Sequence, residues 1–597
     1  MKMKYILPVL TLFIVSCNAQ EYQITFKLDA NELEAERKLG LRGNVKPLSW
    51  KKDYPLSDED GDGIYETTVK FKTSERNLRF KFTNNEKLEL EGADNRIVWF
   101  KPNETIITAH IFDEYNYYSS ETINTISYSP NQIKEDIEVL RNALQVIHPN
   151  LYKYRDSVSL QKDLSELQNT LAEKSNMIDV YREVSKFAAK IKCSHTFTNP
   201  WNQGPDIKKG IFFQPDKLPL TFNRISKQIF VDKNASQYQN IKKGMEIITI
   251  DSIPSEEIMT RLAAYITSDG NNYEKRLQRL TMSGASKFEL FDIFYPLEFG
   301  SKTAFQIQLK DHASGDTIHA RLEAISKTHR NKVLRERFPD FGNTFEEGWQ
   351  FKILNKQTAL LRIDAFTIFS NDFDWTGFLD KAFETINTEK TENLIIDIRA
   401  NEGGDTEVAE YILERIITEP ITIDIPAQTT RYRKIPEDLK KYISTWDKRP
   451  YDWGNKLEYK GNGRYEMQSM FVPTSATYKP RKNNFQGKVY LLTSAENSSA
   501  THIMSTYAKK YKLATLVGQE TGGNQKGLNG GYMFFLRLPN SRIELDIPVF
   551  GINILKDTPD TYDGGIQPDV AIQKNVNDLI NGEDTEMKAV LELIDNK

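Results

Sequence analysis

The chain has 597 residues, 39% of them hydrophobic and 27% charged, and its formal net charge is −4. That composition suits a soluble globular protein of about three or four domains, each large enough to bury a core. It leaves no basic surplus for a nucleic-acid partner and no polybasic patch for a membrane surface.

The first residues read as an export leader. Met1-Lys2-Met3-Lys4 supplies positive charge, and Tyr5 to Val15 is apolar but too short for a permanent membrane span. Ile14-Val15-Ser16-Cys17 resembles a bacterial lipobox, which would make residues 1–17 a lipoprotein signal peptide segment and Cys17 the lipidated first residue of the mature chain. Ordinary cleavage after Ala19 is the alternative. The expectation is a protein exported to the bacterial cell envelope and lipid-anchored in the periplasm or outer membrane, with soluble secretion as the lesser option. Once Cys17 is lipidated or removed, Cys193 stands alone, so neither an intramolecular disulfide nor a cysteine-ligated zinc site is available. No metal and no cofactor are expected.

Residues 21–118 read as all-β. Gln23 to Leu28, Tyr65 to Phe71 and Leu78 to Phe82 alternate apolar and polar side chains. This stretch resembles the immunoglobulin-like sandwiches related to starch-binding modules, which would leave a weak glycan contact open to the front domain. No aromatic platform stands out. Asp58, Asp60, Asp62 and Gly63 copy the start of a calcium loop, but Val69 occupies the place of the bidentate glutamate, so a polar hairpin turn is expected.

The period changes at Ser129-Pro130, an N-cap followed by a first turn. Ile133, Ile137, Leu140, Leu144 and Ile147 then recur at helical spacing. Further amphipathic segments run from Leu160 to Leu171 and from Met177 to Ile191, giving a helical subdomain over 128–208. Residues 209–322 read as β-rich, and 345–580 as an α/β core. Within that core, 422–485 loses its periodicity among Pro, Tyr, Trp and Lys and is expected to be a lid-like insertion.

Two core segments carry chemistry. Asn393 to Asp397 is a buried-type strand that runs through Ile398-Arg399-Ala400-Asn401-Glu402 to Gly403-Gly404, where glycines let backbone amides approach a ligand. Val489 to Thr493 is a second strand, which stops at Ser494-Ala495-Glu496-Asn497-Ser498-Ser499 before a helical pattern opens. A strand, turn and helix in that order bring a hydroxyl to unpaired helix N–H groups and a favourable dipole. There an acyl-transferring serine would be placed.

With Gly518-Gln519-Glu520-Thr521-Gly522-Gly523 downstream, these segments resemble the serine peptidases of the carboxyl-terminal processing and tricorn core type. The resemblance spans roughly 128–580 and implies a crotonase/ClpP-like α/β core. Ile241 to Pro254 then resembles the PDZ-like module of that family. The substrate implied is a peptide or an unfolded protein chain end, cleaved through an acyl-enzyme. Matched position by position, Ser499 takes the nucleophile place, with Ser498 as its neighbouring competitor. Ser194-His195 resembles the Ser-His pair of tricorn, where the histidine is the general base and the serine part of a tetrad with an acid. Asp563, before Gly564-Gly565-Ile566-Gln567-Pro568-Asp569, falls where that family has glutamate. The oxyanion would rest on amides of Gly403 or Gly404 and of Ala500. Carboxyl-terminal processing enzymes use a lysine base instead, and Lys526, two residues out of register, is the alternative. His502 departs from the family's glutamate. A catalytically silent ligand-binding protein on the same core is therefore the reading from another class.

Overall fold

A computed structural model describes residues 20–596 apart from 31–32, 34–36, 76, 91–94, 101–104, 113–126, 174, 205–206, 340, 343–344, 369–372 and 553–561. The leader, Cys17 included, lies outside the described residues. Among those described, no helix is long and apolar enough to cross a membrane. The chain divides into two compact units, 1–119 with 204–206, and 120–203 with 207–597.

In the first unit, Gln20–Asp29 pairs antiparallel with Ile64–Thr73 and parallel with Thr105–Ile111. A second sheet is built on Leu39–Gly43 and Asn77–Asn84. The alternation read from the sequence puts Ile24, Phe26 and Leu28 inside, and Phe26 meets Phe80 edge-on with ring centres 5.1 Å apart. At the calcium-like turn, Asp58 accepts from the N–H groups of Gly61 and Gly63, and Asp62 from that of Ile64. Val69, in the twelfth place, is buried in the following strand.

The second unit opens with the helices Pro130–Ile147, Ser157–Thr170 and Met177–Lys190. Ser129 and Gln132 form a reciprocal cap on the first, as the Ser-Pro start implied. Next comes an antiparallel sheet in the order Leu220–Ile225, Gln228–Asn234, Glu246–Ile250, Ala304–Lys310, Thr317–Glu323. The outer edge of Leu220–Ile225 is taken by its own chain, because Phe222 and Met282 exchange backbone hydrogen bonds.

The core sheet has six strands, in the order Trp349–Asn355, Thr358–Ile363, Asn393–Asp397, Lys488–Thr493, Thr515–Gly518, Val570–Ala571. All are parallel except the first. Near-continuous apolar strands such as Leu394-Ile395-Ile396 suit a sheet covered on both faces, and all three residues are fully buried. The strands Asn393–Asp397 and Lys488–Thr493 are neighbours, so their carboxyl ends deliver the glycine turn and the serine turn side by side.

The stretch 422–485, expected as a lid-like insertion, contains short paired strands. Gln428–Thr430 pairs with the far end of Glu544–Ile552, and the hairpin Leu457–Gly461 with Arg464–Met467 extends the same antiparallel sheet. Tyr432, Trp453 and Leu457 are buried there. Strands of two to five residues, with Gln428–Thr430 and Ile443–Ser444 paired far downstream, leave little local period to read.

Candidate active site

The two turns are stitched together by asparagines. Asn401, fully buried, donates to the Ile363 carbonyl at 3.1 Å and accepts from the Gly403 N–H at 2.9 Å. Its own carbonyl takes bonds from Asn497 Nδ2 at 3.0 Å and Thr501 Oγ1 at 3.1 Å. Asn497 also donates to the Ile398 carbonyl, and Ser494 Oγ to that of Arg399 at 2.6 Å. Such buried amide networks hold two backbones at a set separation.

Gly403 and Gly404 have φ of +115° and +135°, a region closed to residues with a Cβ. A Cβ on Gly403 would lie 2.8 Å from the Ser498 carbonyl oxygen, 3.0 Å from Ser499 Cβ and 3.1 Å from the Ala500 nitrogen. The glycine turn thus presses directly on the serine turn. The bridge to Phe366 uses the Gly403 carbonyl and the Asp405 N–H, and Asn401 takes the Gly403 N–H. The Gly404 N–H takes part in none of these bonds, and the glycine is exposed.

Ser499 opens the helix Ser499–Lys510 with φ +50°, the strained left-handed region for a residue with a side chain. It is half-buried, and its hydroxyl has no hydrogen-bond partner among the described residues. Ser498 is 7% exposed and engaged: its hydroxyl donates to the Glu402 carbonyl at 3.0 Å and accepts from Lys275 Nζ at 3.4 Å.

His195 follows the helix Met177–Lys190. The Ser194 hydroxyl donates to Asp269 Oδ2 at 2.6 Å, and its N–H to Asp269 Oδ1 at 3.0 Å. Ser194 Oγ is 3.1 Å from His195 Nδ1. Because the one serine proton goes to the carboxylate, Nδ1 must be the donor in that contact, and Nε2 keeps its lone pair. Burial lowers the pKa of His195. Asp269 and Glu402 oppose that shift, while Lys275 and Arg279 add to it.

The carboxylate facing Ser194 is therefore Asp269 and not Asp563. Asp563 accepts from Asn524 Nδ2 at 2.7 Å and from both N–H groups of Asn271. Asn524 also donates to the Asp269 carbonyl at 3.3 Å. Two amides thus stand between Asp563 and the Ser-His pair, and Asp563 braces the turn that bears Asp269. Burial raises the pKa of Asp563, but the amides of Asn524 and Asn271 and the charge of Lys526 bring it below the ordinary value. Lys526 belongs to this outer group: its N–H donates to Asn524 Oδ1 at 2.9 Å, and its carbonyl accepts from the Lys153 ammonium. No hydrogen bond joins Lys526 to Ser499 among the described residues. His502 is fully buried, with Nδ1 2.8 Å from Thr521 Oγ1 and Gly523 packed against its ring.

The structure thus brings Ser499, Gly403, Gly404 and Ala500 together. Lys275 and Glu402, which bond or adjoin the serine and glycine turns, are also among the charges that act on the His195 imidazole. No hydrogen bond joins His195 to Ser499 among the described residues, and such bonds are often long before substrate is bound. Asp269 escaped the sequence reading because it sits in Thr267-Ser268-Asp269-Gly270-Asn271-Asn272, a run with the composition of any surface turn.

Residues 357–572 match the family model for peptidase family S41. No curated protein sequence matches the chain. Among solved structures, the chain is similar to mature CPAF with a TM-score of 0.52 and 14% identity, over 78% of this chain and 98% of that one. Mature CPAF complexed with lactacystin gives 0.52 and 14%, over 78% and 99%. The photosystem II D1 C-terminal processing protease superposes more loosely, at 0.34 and 13%, over 76% and 98%. At such identities the likeness to CPAF is one of fold. Both the glycine turn and the serine turn fall within the segment 357–572, and it is this segment that matches peptidase family S41 and supports a serine peptidase.

Proposed function

We propose that Ser499 attacks the carbonyl carbon of a peptide bond, with His195 as general base, and that the substrate is a peptide or an unfolded chain end. His195 Nε2 removes the Ser499 proton as the new C–O bond forms, and the carbonyl electrons move onto oxygen. The Gly404 and Ala500 N–H groups hold that oxyanion. When the intermediate collapses, the C–N bond breaks and His195 returns its proton to the leaving amine. Water then deacylates Ser499 by the same route. Asp269, through Ser194, keeps the imidazole in the tautomer that can act. The observation that carries this reading is Ser499: a strained, half-buried serine pressed against a glycine turn, its hydroxyl without a hydrogen-bond partner among the described residues. Lys526 as base has weaker support, since it lies beside Asp563.

A serine-reactive phosphonate should label the wild-type chain and not Ser499→Ala, and a peptide library should be cut by the wild type alone. Equal labelling of both proteins, or a library left intact at every pH, would favour a ligand-binding protein on the same core. The lowered pKa of His195 sets the pH profile as well. Activity needs the neutral imidazole, so the acid limb of kcat/KM should fall below the ordinary histidine value of about 6.5. A limb well above that value would favour a lysine base instead.

We also infer a lipoprotein leader at 1–17, an immunoglobulin-like sandwich at 21–118, a helical subdomain at 128–208, a PDZ-like domain at 209–322 and a peptidase core at 345–580. Cys17 would carry the anchor, placing the protein in the cell envelope. Cys17→Ala should then move the chain from the membrane fraction to the soluble one, and an unchanged distribution would exclude the anchor.

A further inference from the structure

Lys275 sits on the short helix Tyr273–Gln278, outside the matched segment, and its side chain is only 2% exposed. A buried ammonium persists only where it is paired. Its Nζ donates to Glu402 Oε1 at 2.9 Å, to the Glu496 carbonyl at 2.7 Å, to Glu496 Oε2 at 3.5 Å and to Ser498 Oγ at 3.4 Å. Glu402 immediately precedes Gly403-Gly404, while Glu496 and Ser498 belong to the serine turn. A single cation thus reaches both halves of the site. Arg279, one helical turn on, meets Glu402 Oε1 at 3.1 Å.

The neighbouring residues of the same stretch are tied in as well. Asp269 holds Ser194, and Asn272 donates to the Thr521 carbonyl at 2.9 Å and the Gly523 carbonyl at 3.2 Å. Residues 269–279 therefore form one strap that touches the histidine loop, the serine turn and the glycine turn.

We propose that Lys275 is a positioning residue of the peptidase reaction, fixing the serine turn against the glycine turn so that the Ser499 hydroxyl and the Gly404 and Ala500 amides keep one separation. This rests on the assignment of Ser499 and His195 made above. A misplacement of about 1 Å in such a site can cost about a hundredfold in rate. Lys275 has a second effect that a purely structural lysine would lack. The charged groups acting on His195 are Asp269, Lys275, Glu402 and Arg279, and Lys275 is one of the two that lower its pKa.

The test is full kinetics on the intact chain. Lys275→Met should lower kcat by about a hundredfold with KM little changed, and should shift the acid limb to higher pH. Lys275→Arg should return the limb toward its original position, because the charge is restored. Should Lys275→Met fold poorly, the pair Lys275→Met with Glu402→Gln removes both charges, and that protein should melt like the wild type yet stay slow. Wild-type kcat in either Met variant overturns the proposal, as does an unmoved acid limb in Lys275→Met alone, or failure of the double variant to fold, which would make Lys275 a stability residue. If instead the wild type itself cleaves nothing and takes no phosphonate, the Ser499 assignment has failed and not this one.

Discussion

His195→Ala is expected to lower turnover by about 10²–10⁴-fold, with little change in KM, while Lys526→Ala stays near the wild type. Ser194 and Asp269 fix the imidazole with Nε2 unprotonated, and the lysine lies among Asn524, Asp563 and Lys153. The comparison is made on a fluorogenic peptide with both proteins melted in parallel. If Lys526→Ala is the inactive one, the base is the lysine, and the tautomer set by Ser194 has no catalytic meaning.

The second large effect is expected at Asp269. In Asp269→Asn, the remaining oxygen is claimed by the Ser194 N–H, so the new amide NH₂ faces the Ser194 hydroxyl. That hydroxyl, no longer able to donate to a carboxylate, turns its proton toward His195 Nδ1. The imidazole must then carry its hydrogen on Nε2, where it cannot accept the serine proton. A wrong tautomer of this kind costs about 10⁴-fold in a serine-histidine-aspartate triad, and a loss of similar order is expected here. Asp563→Asn, by contrast, loosens only the turn beneath Asp269 and should cost far less. Equal losses in the two variants, or the larger one at Asp563, would return the acid role to Asp563.

Those two carboxylates also mark where the sequence could be read and where it could not. The serine turn and the glycine turn were legible because each is a local event: an apolar strand, a polar or glycine break, then a helix. The parallel pairing of Asn393–Asp397 with Lys488–Thr493 then brings the two turns together. The cap at Ser129 and the alternation of Ile24, Phe26 and Leu28 were legible for the same reason. Asp269 acts across 75 residues on Ser194, and nothing in its surroundings distinguishes it from a turn-former. Asp563 matched a motif, but Asn271 and Asn524 intervene, and an intercepting amide cannot be seen in a linear pattern. Lys275 was invisible likewise: only burial against Glu402 and Glu496 separates it from a surface lysine. The strands of 422–485 were hidden for another reason, since they are short and one of them, Gln428–Thr430, pairs with Gly551 and Ile552 far downstream.

The backbone at position 499 has one more implication. A φ of +50° is the conformation glycine adopts at no cost, so the place where the proposed reaction needs a hydroxyl is one where the main chain would be most comfortable with no side chain at all. Thermodynamic comfort and chemical purpose pull in opposite directions at that single residue, and a selection for heat resistance alone, blind to turnover, would tend to erase it.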